Sequence, residues 1–182
     1  MELLVGTAIL VILLGGAVAS HIYGMLMLEM NSAKASASAE ARRNITALMS
    51  EVCSAKNVVV GNGNSTSFSQ AGVDMPQRGP ALQIYPSSDT NSFIRYFLDP
   101  SAQTLNRMTN GAASVVLAGG VNNSVLFTLE DFAGNLLSNS QNSAVVGLTL
   151  QYYQVQNATW TVGPTGVYSS YQVQSKIARR SF

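Results

Sequence analysis

The chain has 182 residues, of which 47% are hydrophobic and 10% charged, with a formal net charge of +1. This is enough for one domain with a modest core, and it excludes an electrostatic nucleic-acid surface, which needs a basic stripe. Charged side chains normally make up about a quarter of a soluble domain, so the 22 Ser, 14 Asn and 11 Thr must wet most of the surface. One Cys and one His rule out a disulfide framework and a closed zinc site, which want paired thiols or four N or S ligands.

The first element is Leu3 to Ser20, LLVGTAILVILLGGAVAS, a run without a charged side chain, preceded by Glu2 and continued uncharged as far as Glu29. At ~1.5 Å per residue such a run spans about 27 Å, close to the hydrocarbon thickness of a bilayer. A secretory signal peptide is one alternative, with Ala17-Val18-Ala19 as a small-x-small site, and a single-pass anchor is another. Both normally carry Lys or Arg ahead of the apolar run, where this chain has Met1-Glu2.

No Pro occurs before Pro76, and the helical pattern continues through the apolar run. Leu26, Met30, Ala33, Ala37, Ala41, Ile45, Leu48 and Val52 recur at spacings of three and four, which sets them on one stripe. Glu29, Lys34, Glu40, Arg42, Arg43 and Glu51 lie between them and make the other face wet. The first turn-like cluster is Gly61-Asn62-Gly63-Asn64. The expectation is one helix of about 50 residues, roughly 75 Å long, apolar all round over 1–28 and amphipathic over 29–56. Ile45, Leu48, Met49 and Val52 are its expected contacts with the domain that follows.

Met1-Glu2-Leu3-Leu4-Val5, a carboxylate followed at once by a long apolar helix, resembles the start of a type IV pilin or type II secretion pseudopilin. More loosely, Phe93-Ile94-Arg95-Tyr96-Phe97-Leu98-Asp99 and Leu105-Asn106-Arg107, with Ala41-Arg42-Arg43-Asn44 and Ile177-Ala178-Arg179-Arg180, are similar to the minor pseudopilin J and pilus-tip W group. The resemblance implies a precursor held in the inner membrane, cleaved by a prepilin peptidase, methylated at its new terminus and built by the pilus assembly machinery into a helical homo-oligomeric filament at the cell surface or in the periplasm. It implies an assembly role for Glu2, Leu3, Leu4, Val5, Gly15 and Gly16, and either the family's opening Phe-Thr-Leu would stand before Met1 or Met1 is itself the terminus with Glu2 unusually early. The helix-breaking Pro of many major pilins is absent, leaving Gly15-Gly16 and Gly24 as points of helix weakness. Independently of the family, a carboxylate at membrane depth seeks a cation, and a neighbouring subunit's terminal ammonium would serve; capping its own helix is the alternative.

From about residue 60 the chain reads as short β-prone segments separated by Gly, Pro, Asn, Asp and Ser. Phe93–Leu98 and Leu105–Met108, joined by Asp99-Pro100-Ser101-Ala102, predict a hairpin. Ser114–Ala118, Val125–Glu130, Leu136-Leu137, Val145–Gln156 and Tyr168–Ala178 continue the series, with Asp131-Phe132-Ala133-Gly134-Asn135 as a second hairpin turn. Tyr152, Tyr153, Trp160, Tyr168 and Tyr171 predict sheet-face packing. The fold class expected is α+β and pilin-like: a long amino-terminal helix packed on an antiparallel β-rich domain over 57–182.

Chemistry is sparse. His21 lies beside the apolar run and cannot serve a Ser-His-Asp set. Cys53 follows Val52 on the helix and reads as a small buried residue rather than a nucleophile. Glu130-Asp131 lacks an Asp-x-Asp-x-Asp-Gly loop and reads as a solvated turn rather than a cation site. Gly61-Asn62-Gly63-Asn64 has no Lys and is not a phosphate loop. Triplets at Asn44, Asn64, Asn122 and Asn157 match the glycosylation sequon, as chance allows in a chain this rich in Asn, Ser and Thr. The expectation is therefore no enzyme, no cofactor and no metal. It is a filament subunit, with a pseudopilin of a secretion system or a membrane-anchored β-rich binding module as alternatives.

Overall fold

Unbroken low-Gly, Pro-free sequence with Ala-rich later turns gives one helix, α1, over Glu2–Ser54 in the computed structural model. The structure describes residues 2–139, 145–155 and 168–179. Contacts divide the chain into two compact units, Met1–Ala39 and Glu40–Phe182. The boundary falls later than the change of hydropathy near Leu28, because the helix gains tertiary neighbours only in its last turns.

The first unit is helical throughout its described residues, and Leu3–Leu28 has a mean hydropathy of 2.4 with none of its span buried in the chain. The second unit holds the last turns of α1 and, among the described residues, ten strands. These are β1 Asn57–Gly63, β2 Phe68–Gln70, β3 Arg78–Gly79, β4 Ala81–Tyr85, β5 Ile94–Asp99, β6 Thr104–Thr109, β7 Val115–Gly119, β8 Phe127–Glu130, β9 Val145–Val155 and β10 Tyr168–Ala178. They form two sheets rather than one, a six-stranded sheet in the order β2-β1-β4-β5-β6-β7 and a four-stranded sheet in the order β10-β9-β8-β3. Every pairing described is antiparallel. The class is therefore α+β.

Strand alternation builds one core between helix and sheets. Val58 and Val60 of β1, Leu82 and Ile84 of β4, Tyr96 and Leu98 of β5 and Leu105 of β6 point inward with Leu48 and Val52 of α1 and with Ala55 just after it. Phe127 and Leu129 of β8, Val146, Leu148, Leu150 and Tyr152 of β9 and Ile177 of β10 close the same core from the four-stranded sheet. The opposite face of the six-stranded sheet carries a smaller cluster of Ala81, Phe97 and Met108 with Phe68 against it.

The β5–β6 hairpin forms at Asp99-Pro100-Ser101-Ala102, where the Asp99 carboxylate accepts the backbone N–H of Ser101 and Ala102 at 3.0 and 3.2 Å. The Ser101 hydroxyl leads these bonds in holding the exposed Asp99 carboxyl below its ordinary pKa. At the second predicted turn, Gly134 takes φ +90° and the N–H of Asp131 donates to the Asn135 carbonyl at 2.9 Å. The return arm is only the Glu130–Leu136 bridge.

One expectation is corrected. Gly61-Asn62-Gly63 is not a turn but the end of β1; the chain reverses at Asn64, whose carboxamide oxygen accepts the N–H of Thr66 and Ser67 at 2.9 and 2.8 Å. Gly61 is required for packing: a Cβ there would lie 2.1 Å from the Ser69 carbonyl oxygen, and one on Gly79 of β3 would lie 2.2 Å from the Gly61 oxygen. The two sheets thus meet backbone to backbone at two glycines. Trp160, the Asn157 triplet and the end of the predicted strand at Gln156 lie outside the described residues.

Candidate functional site

The residues expected to assemble copies sit on the first turns of α1. Leu3, Leu4 and Val5 are 81%, 72% and 59% exposed. Glu2 opens the helix, its side chain lies outside the described residues, and so does Met1. The exposure continues through Ile9, Ile12, Leu13 and Val18 to Leu28. Between Val11, Leu14, Gly15, Val18, Ala19 and Ile22 the absent side chain of Gly15 leaves a notch in this surface. A Cβ on Gly6, Gly15, Gly16 or Gly24 would meet nothing within 4 Å. Nothing among the described residues requires these glycines, although each costs about 1 kcal/mol of helix stability against Ala.

The residues expected to hold the helix to the sheets are split by one step of helical rotation. Leu48 and Val52 are 2% and 0% exposed, and Ile45 packs against the same core. Met49 is a correction: it stays 39% exposed and outside the core, because a step of about 100° from Leu48 turns it off the 45-48-52 stripe.

Glu51, expected on the wet face, instead anchors this contact. Its carboxylate accepts Nε and Nη2 of Arg107 at 3.0 and 2.6 Å and the Tyr96 hydroxyl at 2.7 Å. Arg107 and Glu51 side chains are 31% and 20% exposed, so the pair is only partly screened. The bond to Glu51 pushes the Arg107 pKa up against the opposing effect of burial. Burial foremost, and then the neighbouring carboxylate, push the Tyr96 hydroxyl well above the ordinary tyrosine range. Asn44, about two turns earlier, donates through Nδ2 to the Leu117 carbonyl, at the point where the β6–β7 register shifts.

Glu130 is likewise not solvated. It is 9% exposed, accepts Nζ of Lys176 at 2.5 Å and the Thr128 hydroxyl at 3.0 Å. Gly147 makes room for this group, since a Cβ there would lie 2.2 Å from Thr128 Oγ1. Only Asp131 behaves as the expected turn residue. Its bonds to Asn135 hold its carboxyl below the ordinary pKa, one of them the Asn135 N–H at 2.8 Å.

The remaining chemistry-bearing residues are dispersed. Cys53 is partly buried and its thiol donates to the Ala178 carbonyl at 3.6 Å. No group of three or more His, Cys, Asp or Glu among the described residues could hold a metal ion. Sequence reasoning did not foresee Gln77, 1% exposed, whose Nε2 donates to the carbonyls of Gly72 and Met75 at 3.0 and 3.1 Å and pins its loop. It had no periodic signal to offer, since it lies between a loop and the two-residue β3.

Comparison with family models, with curated proteins and with solved structures finds no match.

Proposed function

We propose that this protein is a pilin-like filament subunit: α1 enters a membrane through Leu3–Leu28, and copies then associate through the same surface while the β-rich domain lies outside. The observation that carries the reading is the uneven use of one helix. Leu3–Leu28 is apolar on every side with no part buried in the chain, while Leu48 and Val52 of that helix are core residues of the β domain. A helix that is hydrophobic all round needs lipid or other helices to cover it. The unneeded glycines support helix-to-helix use, since small residues let helix backbones approach closely in membranes.

On this reading the work is assembly rather than catalysis. The resemblance at Glu2-Leu3-Leu4-Val5 supplies the rest: inner-membrane insertion, processing by a prepilin peptidase, and a homo-oligomeric filament at the cell surface or in the periplasm, a surface pilus or a secretion pseudopilus. Glu2 would neutralise a terminal ammonium of an adjacent copy in the apolar core. The test compares the full chain with a form lacking residues 1–28, each examined by electron microscopy of sheared cell-surface material and by sedimentation. The full chain should form filaments and the shortened form should stay monomeric and folded. Filaments from the shortened form, or a full chain that remains a membrane-bound monomer under all expression levels, would return the protein to a plain anchored module.

A further inference from the structure

The outer face of the six-stranded sheet contains a guanidinium without a counter-ion. Arg95 is 6% exposed, and its guanidinium carbon lies over two rings, 5.5 Å from the Phe68 centroid and 4.9 Å from that of Phe93. It belongs to neither ion pair found among the described residues. Its Nε donates to Gln83 Oε1 at 2.9 Å, and Nη1 donates to the carbonyls of Asn64 and Ser67 at 2.9 and 3.1 Å. Three of its five N–H groups are therefore spent on uncharged acceptors. The two on Nη2 have no acceptor among the described residues, and Nη2 is not among the side-chain atoms sealed from solvent without a partner.

A second donor stands beside it. Gln83 lies opposite Arg95 in the β4–β5 register, and its Nε2 donates to the Tyr85 hydroxyl at 2.6 Å. That bond uses Tyr85 as an acceptor and leaves its own proton without an acceptor among the described residues. Gln83 thus bridges the two groups, fixing the guanidinium with one end of its amide and the phenol with the other. Burial pushes the Arg95 pKa down from its ordinary value.

We infer that Arg95 and Tyr85 form a carboxylate-binding site, with Nη2 and the phenolic O–H as its donors. An unpaired buried cation is costly, and a charge-assisted bond from a guanidinium to a carboxylate relieves that cost. Both rings lie within cation–π reach of the guanidinium, and the two N–H groups left on Nη2 suit a planar oxygen acceptor. One cation and a few donors match a monoanion better than a dianion, which would stay half-neutralised beside phenyl rings. The carboxylate can come from a small molecule or from an acidic side chain of a second copy.

The test uses the full chain in detergent micelles, melted in acetate and in chloride at equal ionic strength. Acetate should raise Tm in a saturable manner and chloride should not. Arg95→Gln should abolish the rise. Because that variant also removes an anchor of the Asn64–Ser67 turn, Tyr85→Phe is the second variant: it keeps the cation and should weaken the apparent acetate affinity about tenfold, the loss of one hydrogen bond. The nitrogen resonance of Arg95 Nη2 distinguishes the sources. A shift that grows with protein concentration and is suppressed by acetate assigns the carboxylate to a second copy, whereas a shift seen only with acetate assigns it to a small molecule. Equal responses to acetate and chloride, or an acetate response unchanged in both variants, would overturn the site.

Discussion

Between Leu3 and Leu28, α1 presents Leu3 at 81%, Ile12 at 73% and Leu13 at 66% exposure, whereas near its other end Leu48 and Val52 fall to 2% and 0%. The more hydrophobic stretch is the less buried one. Local sequence gives both the same backbone, and burial follows from what is available to pack. The last turns face strands from two sheets; the first turns have no such partner among the described residues. On the function proposed above, lipid or further copies cover that apolar surface, and the same substitution should then have opposite consequences at the two ends.

The largest effect expected is that of an acid. Leu48→Asp puts an unpaired carboxylate into the core beside Val52 and Tyr96, a loss of about 3–5 kcal/mol or more that removes much of the stability of a domain this size. Leu13→Asp should leave the β-domain melting temperature where it was. Its cost appears in membrane insertion, about 3 kcal/mol at a helix centre, read as loss of membrane-bound protein on fractionation. Equal melting losses from both variants would show that the two stretches are not used differently.

Glycine sharpens the same contrast. Gly79→Ala must push its new Cβ against the Gly61 carbonyl at 2.2 Å, where two backbones rather than a movable side chain are in the way. A loss of about 3 kcal/mol is expected, seen as a lower denaturation midpoint with an unchanged slope. Gly15→Ala meets nothing within 4 Å and should raise helix stability in micelles by up to about 1 kcal/mol. If filament yield falls in Gly15→Ala while helicity rises, close approach between copies is what that glycine serves.

The helix and one hairpin were legible from the residues, for physical reasons that also explain the misses. α1 announced itself because the 3.6 period and the missing Pro persist for many turns. The β5–β6 hairpin did so because Asp-Pro can reverse the chain between two alternating runs. β1 and β4 were not named: Val58-Val59-Val60 is a short apolar run following a helix, and such a run has no period to distinguish strand from helix. Gly61 and Gly63 looked like breakers because the reasons for them lie on other segments, Ser69 and Gly79 for Gly61, and Ser67 and Phe68 for Gly63. Glu51 and Glu130 were read as wet because their cations, Arg107 and Lys176, are distant in the chain. Arg95 did leave a trace, a charge at the alternating position of Ile94-Arg95-Tyr96-Phe97, but its partners on β4 and in the β1–β2 turn depend on a register the sequence does not display.

A smaller effect is expected where helix and sheet share a hydroxyl. Tyr96 is 1% exposed and donates to Glu51 at 2.7 Å. Its proton is held more tightly in the folded chain than in the unfolded one, which releases it near the ordinary value of 10.0. Stability from this group is therefore complete below about pH 10 and is lost as pH rises beyond it. Tyr96→Phe should cost about 1 kcal/mol at neutral pH. Its deficit relative to wild type should shrink in melts above pH 10, and a constant deficit would mean that the hydroxyl does not titrate with folding.

The smallest effect belongs to Met49, and it tests the comparison at a single step of the helix. Leu48 and Met49 are neighbours of similar size and hydropathy, yet the first is 2% and the second 39% exposed. Met49→Gln keeps the length of the side chain, introduces no charge and leaves the 45-48-52 stripe intact, so the melting temperature should change by less than the equivalent of about 0.5 kcal/mol. A larger loss would place Met49 in the core and widen the buried stripe of α1. With an unchanged melt, filament yield becomes informative. If Met49 faces only water, yield is unchanged as well. If yield drops while the domain melts normally, the surface that copies share extends past Leu28 to the wet side of the last turns, and the boundary between covered and uncovered helix lies between two adjacent side chains rather than between two halves.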